Sequence, residues 1–262
     1  MPRLFVFGLG YSARRIAARL PDWEIIATGR EAMLSFDDAG NVRLALADAD
    51  HVLSSVPPGG DGVDPVLTRY GDALAGKRLS YLSSTGVYGD CGGAWVDETA
   101  PIGRGRRSAR AAADGEWLAR GARVFRLPGI YGPGRSALDR VAAGTAHRID
   151  LPLQCFSRIH VEDIARGVSA GLDTPAGAYN LADDHPSHQN AVIAEACRLL
   201  GAPLPPLQTL DEANLSPMAR GFYGENRRIA NGKARRVFGW RPLYPSYREG
   251  LGALSAGRER NE

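Results

Sequence analysis

The sequence is short of lysine, of cysteine and of long apolar runs. Of 32 basic residues only Lys77 and Lys233 are lysine, and the other 30 are arginine. Any chemistry that needs a lysine therefore has two candidates. Cys91, Cys155 and Cys197 are the three cysteines. Their odd number and the absence of a Cys-x-x-Cys pair argue against a disulfide framework and against a cysteine zinc site. His51, His147, His185 and His188 show no metal-ligand spacing to a carboxylate or cysteine, so no metal is expected. No apolar run approaches the roughly 20 residues needed to span a bilayer. Met1-Pro2-Arg3 runs straight into a strand-like stretch with no signal-peptide pattern, so the expectation is a cytoplasmic protein with no membrane partner. The net charge is only +3, and acids are interleaved with the arginines. With no basic stripe carrying aromatics, nucleic acid is not an expected partner.

What is present fits a globular chain. Its 262 residues are 44% hydrophobic and 23% charged, which suits one large domain or two small ones. Leu4-Phe5-Val6-Phe7 reads as a buried parallel strand. Gly8-Leu9-Gly10-Tyr11-Ser12-Ala13 follows at once, and Arg14 to Leu20 has helical spacing. Strand, Gly-x-Gly-x-x-Ala, helix is the dinucleotide-binding pattern in its required context. Gly8 permits the tight turn, Gly10 lets the backbone approach a pyrophosphate, and Ala13 allows close helix–strand packing. Free N–H groups at the start of the helix, around Tyr11 and Ser12, then face the phosphates. A plain glycine turn is the competing reading.

The second strand, Trp23 to Thr28, ends at Gly29-Arg30. An acid at this point would hold the ribose 2′-hydroxyl of NAD. Arg30 instead offers a fork for a 2′-phosphate, so NADP is expected to be preferred over NAD. A solvated surface arginine is the alternative. Further strands read at Asp50 to Val56, Arg78 to Ser84 and Val124 to Pro128. Helical stretches lie between them at Val66 to Leu74 and Ala109 to Arg120. This alternation predicts an α/β fold with a doubly wound parallel sheet, a Rossmann fold with a smaller C-terminal substrate lobe. The expected division is 1–131 and 156–182 for the dinucleotide-binding domain and 132–155 and 183–262 for the lobe. Helices are expected near 136–143, 164–172, 190–200, 232–238 and 247–254, with Gly257 to Glu262 frayed. Ligands of such sheets sit beyond the carboxyl ends of the strands. That singles out Ser55-Val56-Pro57, Ser83-Ser84-Thr85 with Tyr88, and Pro128-Gly129-Ile130-Tyr131.

These residues together resemble a known family. The blocks are Gly8 to Ala13, Leu82-Ser83-Ser84-Thr85-Gly86-Val87-Tyr88-Gly89, Arg126-Leu127-Pro128-Gly129-Ile130-Tyr131-Gly132-Pro133-Gly134, Ile159-His160-Val161-Glu162-Asp163 and Tyr179-Asn180-Leu181-Ala182-Asp183. In this order they resemble the extended short-chain dehydrogenase/reductases of the NAD-dependent epimerase/dehydratase type. The tail, with Gly239-Trp240-Arg241-Pro242, resembles an atypical short subgroup. The resemblance implies a nicotinamide cofactor and an active site of Ser or Thr with Tyr-x-x-x-Lys. Ser84 matches the family serine, with Thr85 beside it. Arg106 falls at the tyrosine position and Arg110 at the lysine position. Four residues before Lys77 stands Ala73, and four before Lys233 stands Ile229, so the motif occurs nowhere in the chain.

An arginine keeps its proton above about pH 12 and cannot replace the tyrosine as acid and base. Arg106 and Arg110 are left to bind phosphate, ribose or an anionic substrate, or to stabilise an oxyanion; a solvated helix face is the competing reading. Tyr88 and Tyr131 are the candidate displaced acids, with Arg135 four residues beyond Tyr131 as an electrostatic stand-in for the lysine. His160 reads as structural beside Asp163, a candidate cap of the helix 164–172. The expected function is an NADP(H)-dependent oxidoreductase or epimerase/dehydratase-like enzyme acting on a small-molecule substrate with a non-standard proton donor. A redox-inactive NADP(H)-binding sensor or scaffold is the alternative. The resemblance also implies a homodimer through the helices near 66–75 and 106–120, although Arg104, Arg106, Arg107 and Arg110 at the start of the second would shift that interface or abolish it.

Overall fold

A computed structural model describes residues 1–259. The four apolar stretches that open the chain form strands β1 (Arg3–Phe7), β2 (Glu24–Thr28), β3 (His51–Ser54) and β4 (Arg78–Ser84). Strands Arg123–Leu127 and Gly177–Asn180 complete a six-stranded sheet in the order β2-β1-β3-β4-(123–127)-(177–180). Every pairing is parallel, which shows the α/β Rossmann-like architecture. A parallel pair needs a crossover, and helices supply it. They are α1 (Tyr11–Ala17), α2 (Ala39–Asp48), α3 (Pro65–Tyr70), α4 (Ser108–Ala119), α5 (Ala137–Ala142), α6 (Val161–Gly171), α7 (Gln189–Leu200), α8 (Pro217–Phe222), α9 (Gly232–Phe238) and α10 (Tyr247–Glu259). Strand order reverses at β1, so the switch point lies between the ends of β1 and β3.

Apolar alternation fixes what each face of the sheet meets. Leu4 and Val6 point into one cluster with Ile16, Ile164 and Val168, beneath α1 and α6. Phe5 and Phe7 point into the other with Val42, Leu46, Tyr70 and Trp117, beneath α2, α3 and α4. A third cluster joins α5, α7 and α10 through Leu138, Ile193, Ala196, Tyr247 and Leu251. Ala234 and Trp240, which follow the sheet in sequence, pack into the first cluster against α6.

Several elements differ from the expectations. Asp163 does not cap α6. His160 does, its Nδ1 accepting from the Glu162 N–H at 3.2 Å. Asp163 is buried one turn in, where its carboxylate accepts from the backbone N–H of Leu243 and Tyr244. Helix α2, capped by Asp38 accepting from the Asn41 N–H, has no counterpart in the sequence reading. Its apolar face is weak, since only Val42 and Leu46 are buried. Helix α10 continues through Gly257 to Glu259, and the rest of the expected frayed end lies outside the described residues. Among the described residues, no helix is long and apolar enough to cross a membrane.

Candidate active site

The turn after β1 depends on glycine. Gly8 has φ +81°, and a Cβ there would lie 3.0 Å from both Ser55 Oγ and Val56 Cγ2. The Ser55 hydroxyl donates to the Gly8 carbonyl and ties the β1 turn to the end of β3. Gly10 begins α1 with no side-chain cap, and its missing side chain faces open space. No acceptor within the described residues takes the N–H groups of Tyr11, Ser12 and Ala13. All three residues line a cleft of about 1130 Å³. Uncapped donors around a glycine without a neighbour fit a pyrophosphate, so the residues present suit a dinucleotide.

The same cleft runs past Ser55, Ser83, Ser84 and Thr85, past Pro128, Gly129, Ile130 and Tyr131, and on to α5, α7 and α8. Ser84 Oγ accepts from the Gly86 N–H at 3.1 Å and keeps its own proton to donate. Thr85 is buried beside it. The Ser83 hydroxyl turns away and donates to Asp114 Oδ2 at 2.6 Å. Arg126 grips the same carboxylate through Nη2 at 2.7 Å and Nε at 3.1 Å. This buried network stands behind the serine loop.

Gly8, Arg30, Val56 and Pro57 do not line the cleft. Gly8 and Val56 support the turn from behind, and Pro57 is exposed. Arg30 is exposed just past the end of β2. Tyr88 lies outside the cleft as well. Its buried hydroxyl donates to Asn180 Oδ1 at 2.8 Å and accepts from Arg126 Nη1 at 3.0 Å. Burial pushes this phenol up to about 12. Tyr131 reaches the cleft, but its hydroxyl donates to the Ser246 carbonyl and abuts Gly250 of α10. Burial raises its pKa as well. Arg135 does not stand in for a lysine beside it, because its guanidinium lies 5.8 Å from the centre of the Tyr11 ring. Neither phenol named as a displaced acid therefore presents its hydroxyl to the cleft.

Arg106 and Arg110 both line the cleft and both have partners. Arg106 lies 3.6 Å from Glu225 Oε1 and stacks 4.8 Å over Phe222 of α8. Arg110 donates to the Tyr81 hydroxyl at 3.2 Å. The cleft holds charge that the sequence reading missed. Arg107, Arg140, Arg158 and Arg227 line it together with Arg135, against Asp139 and Glu225. Arg107 lies across Gly86, where a Cβ would come within 2.5 Å of its Cδ. Tyr223, at the end of α8, also reaches the cleft. No spacing announces these residues. They come from four distant segments, and only the packing of the lobe brings them together.

No family model matches the chain. The 3-diazoavenalumate denitrifying reductase of a Streptomyces species is 35% identical over 144 residues, 49% of this chain and 45% of that protein. The chain thus spans about half the length of that curated relative. A functionally unknown conserved protein from Silicibacter pomeroyi superposes with a TM-score of 0.85 at 41% identity, covering 99% of this chain and 100% of that one. The dTDP-glucose 4,6-dehydratase of Bacillus anthracis, in complex with NAD, has a TM-score of 0.81 at 16% identity, over 100% of this chain and 98% of that one. The last likeness shows a shared fold. The chain belongs to one family with the Silicibacter pomeroyi protein, and it shares its fold with the Bacillus anthracis dehydratase.

Proposed function

We propose that the chain is an NADP(H)-dependent oxidoreductase or epimerase/dehydratase-like enzyme whose small substrate lies between the serine loop and the lobe. One observation carries this reading: a single cleft joins the free N–H groups of Tyr11, Ser12 and Ala13 to Ser84, Thr85 and the lobe helices. The turn residues would hold the pyrophosphate, and Pro128, Gly129 and Ile130 would border the nicotinamide. Arg30 at the end of β2 pairs with a 2′-phosphate, which favours NADP over NAD. A nicotinamide held by these residues would supply hydride-transfer chemistry. The Ser84 hydroxyl donates to the substrate oxygen, and Thr85 backs it on the same side. Arg107, held across Gly86, adds positive potential where negative charge develops on that oxygen. The Tyr-x-x-x-Lys motif that would move the accompanying proton is absent from the chain.

A thermal shift with NADPH and NADH tests binding, and an NADPH-consumption screen over aldehydes, ketones, imines and sugar nucleotides tests turnover. NADPH is expected to bind at least tenfold more tightly than NADH, and Arg30→Ala is expected to remove most of that difference. Equal binding that the variant leaves unchanged sinks the preference. The second reading, a redox-inactive NADP(H) sensor, is favoured by the engagement of Arg106 with Glu225 and Phe222 and of Arg110 with Tyr81. Binding without consumption of NADPH on any of these substrates selects it.

A further inference from the structure

The lobe end of the cleft holds more positive charge than its own carboxylates neutralise. The guanidinium of Arg140 on α5 has no hydrogen-bond or ion-pair partner among the described residues, only the backbone of Arg140 being bonded. The neighbouring acid, Asp139, is spent on the Ser136 N–H and hydroxyl, both at 2.7 Å, and on Arg258. Arg158 is 8% exposed, and no carboxylate lies within ion-pair distance of it. Its donors reach the carbonyls of Phe156 at 2.9 Å and Ser187 at 3.0 Å, and Gln189 Oε1 at 2.8 Å. Those bonds fix the guanidinium in place without cancelling its charge. Asp183 is the nearby acid, yet it is 2% exposed and neither of its oxygens has a hydrogen-bond partner. Burial holds its carboxyl well above the usual range and favours the neutral form.

Arg140 and Arg158 face each other closely enough that their repulsion adds to the effect of burial on Arg158. Arg140 keeps contact with solvent through the cleft mouth, yet the walls crowd it enough to lower its pKa too. Tyr223 stands against Phe156, ring centres 5.6 Å apart, within electrostatic reach of both arginines. Burial keeps its phenol protonated, hence a hydrogen-bond donor. Its hydroxyl has no partner among the described residues. Two uncancelled guanidiniums and a phenol donor lining one cleft form a receptor for an oxyanion.

We propose that Arg140, Arg158 and Tyr223 form a subsite for one carboxylate or phosphate group carried by the substrate. Arg158 pairs in strand register with Gly129, one of the residues proposed to border the nicotinamide, so on that reading the anionic group would lie near the reacting carbon. The substrate class is therefore a small organic acid or phosphoester. This assignment rests on the proposed oxidoreductase reading for the word substrate, while the subsite itself does not.

The test is calorimetric titration of the full chain with inorganic phosphate and, separately, with acetate, at ionic strength matched with chloride, before and after saturation with NADP⁺. One of the two anions is expected to bind, phosphate marking a phosphoester and acetate a carboxylic acid. Arg140→Ala is expected to weaken that anion at least tenfold and Tyr223→Phe severalfold, with NADP⁺ affinity unchanged in both. Arg140 is exposed and its guanidinium makes no hydrogen bond or ion pair among the described residues, so its loss leaves the fold intact even where Arg158→Gln does not. A response that Arg140→Ala leaves intact places the anion at the Gly10 turn and overturns the subsite, as does no response beyond chloride. Loss of NADP⁺ binding with the anion response intact instead overturns the oxidoreductase reading and leaves the subsite standing.

Discussion

His160 accepts the Glu162 N–H on Nδ1, while its Nε2, also buried, has no partner. Burial and the nearby Arg15 push its pKa down to about 4. An unfolded histidine titrates near 6.5, so between about pH 4 and 6.5 the unfolded chain binds the extra proton. The stability tied to neutral His160 is therefore complete above pH 6.5 and is lost as pH falls toward 4, by about 3 kcal/mol in all. Urea unfolding across that window is expected to show the slope, and His160→Gln is expected to flatten it. The Arg126–Asp114 pair sets a second expectation. Asp114 is fully buried and Arg126 is 2% exposed. Arg126→Met strands a carboxylate with only the Ser83 hydroxyl beside it, at a cost of about 3–5 kcal/mol. Pairing it with Asp114→Leu is expected to recover part of that loss, and a double variant no more stable than Arg126→Met contradicts this reading of the pair.

At the scale of elements, the turn between β1 and α1 separates folding from binding. A Cβ on Gly8 meets Ser55 and Val56 at a positive φ, so Gly8→Ala is expected to destabilise the fold by about 1–3 kcal/mol. A side chain on Gly10 meets nothing in the protein. Gly10→Val is expected to leave the melting temperature within a degree or two and to abolish the NADPH shift. A Gly10→Val chain that still binds NADPH rules out this turn as the pyrophosphate site. The turn was legible because glycine, small residue and strand are adjacent in sequence. Strand Gly177–Asn180 and helix α2 were not read as elements: one is short, and the other buries only two side chains. The cap of α6 was misplaced by three residues, since Asp163 has the chemistry of a cap but binds the Leu243 and Tyr244 backbone instead.

At the scale of the whole molecule, the cleft lies between the sheet and a lobe stitched from separate pieces of chain. Segment 225–228 holds the pieces together. The Asn226 N–H donates to Asp90 Oδ1 at 2.7 Å, Gln154 Nε2 donates to the Glu225 carbonyl at 2.7 Å, and Arg227 donates to the Gly89 carbonyl at 2.7 Å. A ligand spanning that cleft binds the folded form alone. NADPH at a hundredfold excess over its Kd is expected to add about 2.7 kcal/mol, which raises the melting temperature by about 5 °C or more. Scanning calorimetry checks it, and an unchanged melting temperature at saturating NADPH removes the cofactor from the proposal.

The amino-acid sequence by itself determined the parallel sheet, the glycine turn and the absence of a Tyr-x-x-x-Lys motif. Each is a local pattern or a count, and local sterics or chemistry decide it. Only the tertiary structure decided that Tyr88 and Tyr131 turn their hydroxyls away, that Arg106 and Arg110 are engaged, and that Arg140, Arg158 and Tyr223 line one cleft. The direction of a side chain and the partners of a charge depend on residues far away in sequence, and no spacing encodes them.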